Sequence, residues 1–528
     1  MVPASSGGAL TAEEPVGRFF QRLMELRPVE ASYYGLHEFD GRLPEGSLAA
    51  AREEAALLAG LESELATAGS DIEAEVARYY TAVSRFQLEE LRLWSRMPDA
   101  PDVIGSGLFL LFARDFAPLE ERLESIASRM EAIPDYLLAS RERLTDPVEL
   151  WVRIAAESAG GLPALYGSVV AAWPEGPLRR RLELAAAGAS EATESFTRWL
   201  LADALPRSRP EWALGEAGFE RLIALRRLPD EAQAIRALGE RYLAQFKEER
   251  AALLSEQWPG RTLEEVNELV RSQHADSFEA ALQEYREVIG AARAFVVEAG
   301  LATVPSDEEL RVEPTPEFLR PIIPFAAYEP PARFDAHQLG IYIVTPQEDG
   351  LGEHNHPAIL NTSVHEAYPG HHLQFSSANQ HPSLARLLAA EHATELIEGW
   401  AHYCEQVMYE QAFAAGPELR FIQLNDLIWR ACRIVLDVDM SCGRLGVRKG
   451  VDRLVQEAAM DPAAALAEVR RYTYTPGYQL SYLYGRHLLV ELRERRRQAE
   501  GQEFQLHAFH DRLLYAGSLP AAFWDKLF

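Results

Sequence analysis

Cysteine is nearly absent from this 528-residue chain: Cys404, Cys432 and Cys442 are all it has, with no C-x-x-C pair among them. That excludes a disulfide framework and fits a reducing compartment. Positive charge is also scarce, with 52 Lys and Arg against 80 Asp and Glu and a formal net charge of -28. Nucleic acid and anionic membrane are thereby disfavoured as partners, because both repel an acidic surface; most of the charge reads as a solvated face. No run approaches the roughly 20 apolar residues of a membrane-spanning helix. The first 14 residues show neither a basic region nor an apolar core, so no secretory signal is visible and the cytoplasm is the expected location. Fixed-period repeats and low-complexity linkers are missing as well.

What remains is the composition of a globular protein, 48% hydrophobic and 25% charged. The length exceeds one ordinary core, so two lobes are expected. The patterning is overwhelmingly helical. Leu119, Leu123, Ile126, Met130, Ile133 and Leu137 recur at helical spacing, a stripe that either ends near Pro134 or continues past it with a kink. Similar stripes cover residues 50–65, 231–254, 263–297 and 462–472. Residues 339–346, β-branched, aromatic and ended by Pro346, read as a strand. Its edge is either a place for an extended peptide to pair or part of a purely structural hairpin. Prolines at 305, 314, 316, 321, 324, 330 and 331 mark the expected boundary between a helical N-terminal lobe, 1–310, and a second lobe, 311–528.

The chemistry is concentrated in H-E-A-Y-P-G-H-H, residues 365–372. In H-E-x-x-H zinc sites the two histidines lie at i and i+4 on one helix face, with the glutamate facing a water. Here i+4 is Pro369. At about 100° per residue a straight helix returns His372 to within about 20° of His365 and leaves His371 about 120° away. Proline and glycine argue against a straight helix, and if Pro369 and Gly370 bulge out, His371 takes the second-ligand position. His371 is therefore favoured, with His372 as the alternative. A third ligand is sought on a following helix, where residues 391–403 offer Glu391, Glu395 and Glu398, with His392 and His402 besides. Glu398, among Leu396, Ile397, Trp400 and Ala401, has the most apolar neighbours, and a buried carboxylate needs a cation. His354 and His356 stand in a polar loop and receive no role.

H-E-A-Y-P-G-H-H followed by E-G-W-A at 398–401 resembles the large bacterial family DUF885, regarded as zinc metallopeptidases of the gluzincin type. The likeness spans most of the chain: residues 28–44 resemble the family's opening, residues 118–134 its central helices, and P-G-Y-Q-L-S-Y, residues 476–482, its P-G-x-Q-x-x-Y segment. The resemblance implies His365, His371 and Glu398 as zinc ligands and Glu366 as general base. One departure stands out. Relatives commonly carry D-T-G-L-H after an arginine-bearing helix, whereas Arg430 and Arg433 are here followed by Asp437-Val438-Asp439-Met440-Ser441, so Ser441 replaces the histidine.

A ligand set of two imidazoles and one carboxylate makes a water acidic, toward a pKa of about 7, and polarises a carbonyl. Glu366 would take the water proton and deliver it to the leaving amine. Tyr482, Tyr478, Tyr474 and Arg486 are the candidate donors to the oxyanion, with Tyr482 favoured by the family pattern. The expectation is a predominantly α-helical, two-lobed zinc peptidase, with a small sheet near the metal and a deep cleft admitting short peptides, as in neurolysin-like and carboxypeptidase-like gluzincins. The alternatives are a zinc amidohydrolase of small amides and a non-catalytic helical scaffold.

Overall fold

A computed structural model describes residues 12–315, 326–346, 350–413 and 415–528. The segment searched for a leader, 1–11, and the prolines at 316, 321 and 324 lie outside the described residues. Most of the apolar stripes become helices where their caps allow. Ser47 Oγ accepts from Ala50 N at 3.1 Å and starts Leu48–Leu65. The stripe over 119–137 runs through Pro134 to end at Arg143, because Leu123, Ile126, Met130, Ile133 and Leu137 are all buried and hold the helix together across the missing donor. The stripe over 263–297 is two helices, Leu263–Arg271 and Phe278–Glu298, with Ser277 capping the second through Ala280 N at 3.2 Å.

Among the described residues three strands make one sheet: β1 (Glu308–Pro314), β2 (Ala326–Glu329) and β3 (Gln338–Val344), in the order β1-β3-β2. β3, the strand legible in the sequence, is central. It pairs in parallel with β1 and antiparallel with β2. Both of its edges are taken, which corrects the reading of β3 as an edge for substrate. β1 and β2 both lie within the proline-rich stretch 304–331. Alternation along β3 joins two cores. Tyr342 and Val344 enter a cluster that draws on Phe19, Phe246, Tyr285, Trp400 and Leu489; Ile341 and Ile343 enter a second, built from residues 100–204. Most buried apolar residues between 100 and 204 thus pack in the second cluster.

Five helices surround the motif residues: α1 (His356–Glu366), α2 (His371–Ala378), α3 (Thr394–Glu410), α4 (Pro417–Ser441) and α5 (Ser481–Glu500). α3 and α5 cross on two glycines. A Cβ on Gly485 would stand 2.1 Å from the Glu395 carbonyl oxygen, and one on Gly399 2.5 Å from the Gly485 carbonyl carbon. Only hydrogen fits, and this contact carries Glu398 up to the tyrosines that precede and open α5. Gly485→Ala is expected to pry the helices apart and destabilise the fold by about 1–3 kcal/mol, read as a lower urea midpoint; an unchanged midpoint would mean that the crossing relaxes freely. No described helix is long and apolar enough to cross a membrane.

Candidate metal centre

The His-Glu pair ends α1, and His371 opens α2; the chain does not bulge within one helix but breaks between two. The Tyr368–Pro369 bond is cis. Gly370 then folds back so closely that its N–H donates to the Val364 carbonyl at 3.1 Å, and a Cβ there would lie 1.8 Å from the His365 carbonyl oxygen. No other residue fits. α3 secures the turn from the far side: Trp400 Nε1 donates to the Pro369 carbonyl at 2.8 Å, and Gln374 Nε2 to the Leu396 carbonyl at 3.1 Å.

This break turns the two histidines to opposite sides. His371 turns toward α3, its Nε2 3.8 Å from Glu398 Oε2, with its ring 5.0 Å from that of His365 and nearly perpendicular to it. His372 turns the opposite way into the sheet, fully buried, with Nε2 2.7 Å from Glu308 Oε2 and Nδ1 3.0 Å from the Tyr328 hydroxyl. His365, His371 and Glu398 each offer a donor atom, and these atoms all lie within 4.8 Å of one another. His371 Nδ1 is buried without a hydrogen-bond partner, and 3.8 Å is too long for His371 and Glu398 to satisfy each other. Two imidazoles and one carboxylate, converging but not mutually satisfied, fit a zinc ion.

Electrostatics follow from burial. It pushes the His371 imidazolium below its ordinary range, leaving the ring neutral as a ligand must be. Burial opposes ionisation of Glu398 too, yet His371, the Tyr478 hydroxyl, His365 and Tyr482 together hold its carboxyl below the usual value. His365 is drawn down by burial but raised overall by Glu405 and Glu366. Glu366, half-buried at the end of α1, makes no hydrogen bond or ion pair with another described residue. It acts on both His365 and His371 through space.

Of the five tyrosines between 472 and 484, two reach the site. Tyr478 donates its hydroxyl to Glu398 Oε1. Tyr482 packs 5.9 Å from the Tyr478 ring, under the Arg433 guanidinium at 4.5 Å. Tyr472 donates to Glu468, and Tyr484 to Asp230. Tyr474 packs beside Trp151, which removes it as an oxyanion donor. Arg486 faces Tyr242, Glu405 and Glu410 instead of Glu398. The loop bearing Tyr478 is hung on Asp437 of α4, whose carboxylate accepts from Gly477 N at 2.8 Å and Leu480 N at 2.9 Å. Ser441, the residue in place of the family's histidine, donates to the same carboxylate at 3.2 Å.

Burial raises Asp437 to about 6. A carboxyl whose folded value lies above its unfolded one, about 3.9, adds stability that is complete below about 4 and is lost as pH rises through about 6. The stability difference between wild type and Asp437→Asn, from urea titrations, is expected to shrink by about 3 kcal/mol over that window; a difference that grows with pH would contradict the assignment.

The family profile described as "Bacterial protein of unknown function (DUF885)" matches residues 28–526. The chain belongs to this family. No curated protein matches it. The DUF885 chain shares its fold with a candidate lipoprotein of unknown function from Shewanella oneidensis, at 24% identity and a TM-score of 0.79, covering 98% of this chain and 100% of the other. A candidate lipoprotein from Colwellia psychrerythraea is similar at 19% identity and a TM-score of 0.84, with 98% of both chains covered.

Other sequence candidates sit elsewhere in the DUF885 fold. Glu395 is buried in an ion pair with Arg226, so it is neither a ligand nor an exposed charge. His354 lies between the Tyr285 hydroxyl and the Thr345 carbonyl, His356 pairs with Glu284, and His392 meets Ser84. Glu391 lies near Arg27, at 3.7 Å. The residue the sequence reading passed over is Glu405, buried on α3 with Oε1 2.7 Å from His365 Nδ1. The signal was present: Glu398, His402 and Glu405 stand at i, i+4 and i+7, one face of one helix.

Proposed function

We propose that this DUF885 protein is a zinc-dependent peptidase of short peptides, with His365, His371 and Glu398 as metal ligands and Glu366 as general base. The observation that carries the reading is the convergence of those three side chains beside a carboxylate, Glu366, that makes no hydrogen bond or ion pair with another described residue. When bound, zinc supplies a Lewis acid that acidifies water and polarises a carbonyl. Glu366 accepts the proton of the attacking water and returns it to the departing amine. Tyr478 holds Glu398 in place, and Tyr482, beside it, donates to the developing oxyanion.

Glu398 and Tyr478 form part of the wall of a cavity of about 300 Å³, with Phe375, Ile397 and Leu387 supplying apolar surface. Tyr33 also lines a second cavity, of about 620 Å³. Space of this size and shape supports a cleft of the gluzincin kind, suited to a short unfolded peptide. The net charge of -28 supports peptide over nucleic acid or anionic membrane as the partner. Cytoplasmic location belongs to the same proposal and rests on three buried, unpaired cysteines, Cys404, Cys432 and Cys442. The test is a mixed peptide library incubated with zinc-loaded and with chelated protein. Cleavage by the loaded form alone is the expected result; hydrolysis of small amides with peptides untouched would replace the peptidase reading with an amidohydrolase one.

A further inference from the structure

Behind the proposed metal centre lies a chain of polar contacts, part-buried at Asp426 and Arg430 and buried at His402 and Glu405, for which the reaction as derived has no use. It begins at α1, where Asn361 Nδ2 donates to Asp426 Oδ2 at 3.2 Å. Asp426 Oδ1 accepts from Arg430 Nη1 at 2.9 Å, which aims the guanidinium. Arg430 Nε then donates to His402 Nε2 at 3.0 Å. On its other side, the His402 ring turns Nδ1 toward Glu405 Oε1, 3.3 Å away and off the ideal hydrogen-bond line. The same oxygen stands 2.7 Å from His365 Nδ1. His402 and Glu405 are 1% and 5% exposed, so no solvent contact offers an alternative partner.

The order of protons along this chain follows from one fixed end. A guanidinium is always protonated and only donates. His402 Nε2 must therefore present its lone pair, and the ring proton goes to Nδ1, facing Glu405. A carboxylate accepting there is an acceptor on its other side as well, so His365 carries its proton on Nδ1. His365 Nε2 is then left bare, and it is the nitrogen free to bind a metal. His402 and Glu405, with His365, also form a triad of donor atoms within 4.8 Å of one another. A second cation there would have to sit beside the Arg430 guanidinium, which argues for a positioning role instead.

We propose that Arg430, His402 and Glu405 form a relay that sets the tautomer of the neutral His365 ring, placing its one proton on Nδ1 and its lone pair on Nε2 before any metal arrives, with Glu405 as the positioning residue. The inference rests on the metal-centre reading above, but its first test does not. In metal-free protein at alkaline pH, ¹⁵N NMR of labelled histidines separates protonated from bare ring nitrogens. His365 and His402, assigned through single substitutions, are both expected to carry the proton on Nδ1; a proton on Nε2 of either ring overturns the relay.

The second test is zinc affinity by chelator competition. Glu405→Leu, which removes the acceptor, is expected to bind zinc about 10- to 100-fold more weakly. Glu405→Gln retains an oxygen at the same place and is expected to recover most of the affinity. Equal affinity of the leucine variant and wild type, with both folded, would overturn the proposal. Absence of zinc binding by wild type, with the tautomers as expected, would sink the metal reading and leave the relay standing.

Discussion

Glu366→Gln is expected to lower peptide turnover by about 10²- to 10⁴-fold while zinc stays bound. The substitution is nearly isosteric and removes only the capacity to accept a proton. Because Glu366 makes no hydrogen bond or ion pair with another described residue, no structural partner is lost with its charge. The neighbouring ligands His365 and His371 keep their positions, since the turn between them is held by Gly370, Trp400 and Gln374. The informative measurement is kcat beside zinc stoichiometry for the same preparation. Full turnover by the glutamine variant would remove Glu366 as the base, whatever the metal content.

The second large effect separates two adjacent histidines. His371→Ala is expected to abolish stoichiometric zinc binding with little change in thermal stability, because its Nε2 stands 3.8 Å from Glu398 Oε2, too far to be a hydrogen bond whose loss would cost stability. His372→Ala is expected to do the reverse. Its imidazole is wedged between Glu308 and Tyr328, and Glu308 also accepts from Tyr368 and pairs with Arg293 at 2.9 Å. Breaking that buried set destabilises by about 3 kcal/mol, seen as a lower melting temperature, while zinc is retained. Loss of zinc in the His372 variant alone would reverse the ligand assignment.

The two histidines also show what could be learned before the fold was in hand. Helical spacing alone favoured His372, and the proline and glycine at 369–370, taken as a bulge, put His371 first; the reason His372 points elsewhere is Glu308, more than 60 residues upstream in a proline-rich segment. A proline-rich stretch hides strands well, because pairing in a sheet depends on partners that local sequence does not carry. Conversely, the β-branched run over 339–346 was legible because β3 is buried on both faces. The helix over 263–297 was read as continuous since its apolar period survives the interruption; Ser277, an ordinary capping residue, was the signal for the restart. Among five tyrosines in thirteen residues, the family pattern singled out Tyr482, but nothing local distinguishes Tyr478 from Tyr474. The roles of Tyr478 and Tyr482 come from the Gly399–Gly485 crossing and from the Asp437 carboxylate, both set by tertiary contact.

Glu405 lies between these cases. Its spacing from Glu398 and His402 was visible, yet three such residues on one helix face are common on solvated surfaces. Only tertiary burial sets that face apart from a solvated one, and burial was argued for Glu398 alone from its immediate neighbours.

The central claim, that His365, His371 and Glu398 together hold one zinc ion, is tested most directly by counting metal per chain after chelation, zinc reconstitution and exhaustive dialysis. About one zinc per chain in wild type, falling to none in His365→Ala, His371→Ala and Glu398→Ala but not in His372→Ala, is the predicted result. Wild-type protein that retains no metal under any loading condition would contradict it and leave the helical scaffold as the better account of these residues.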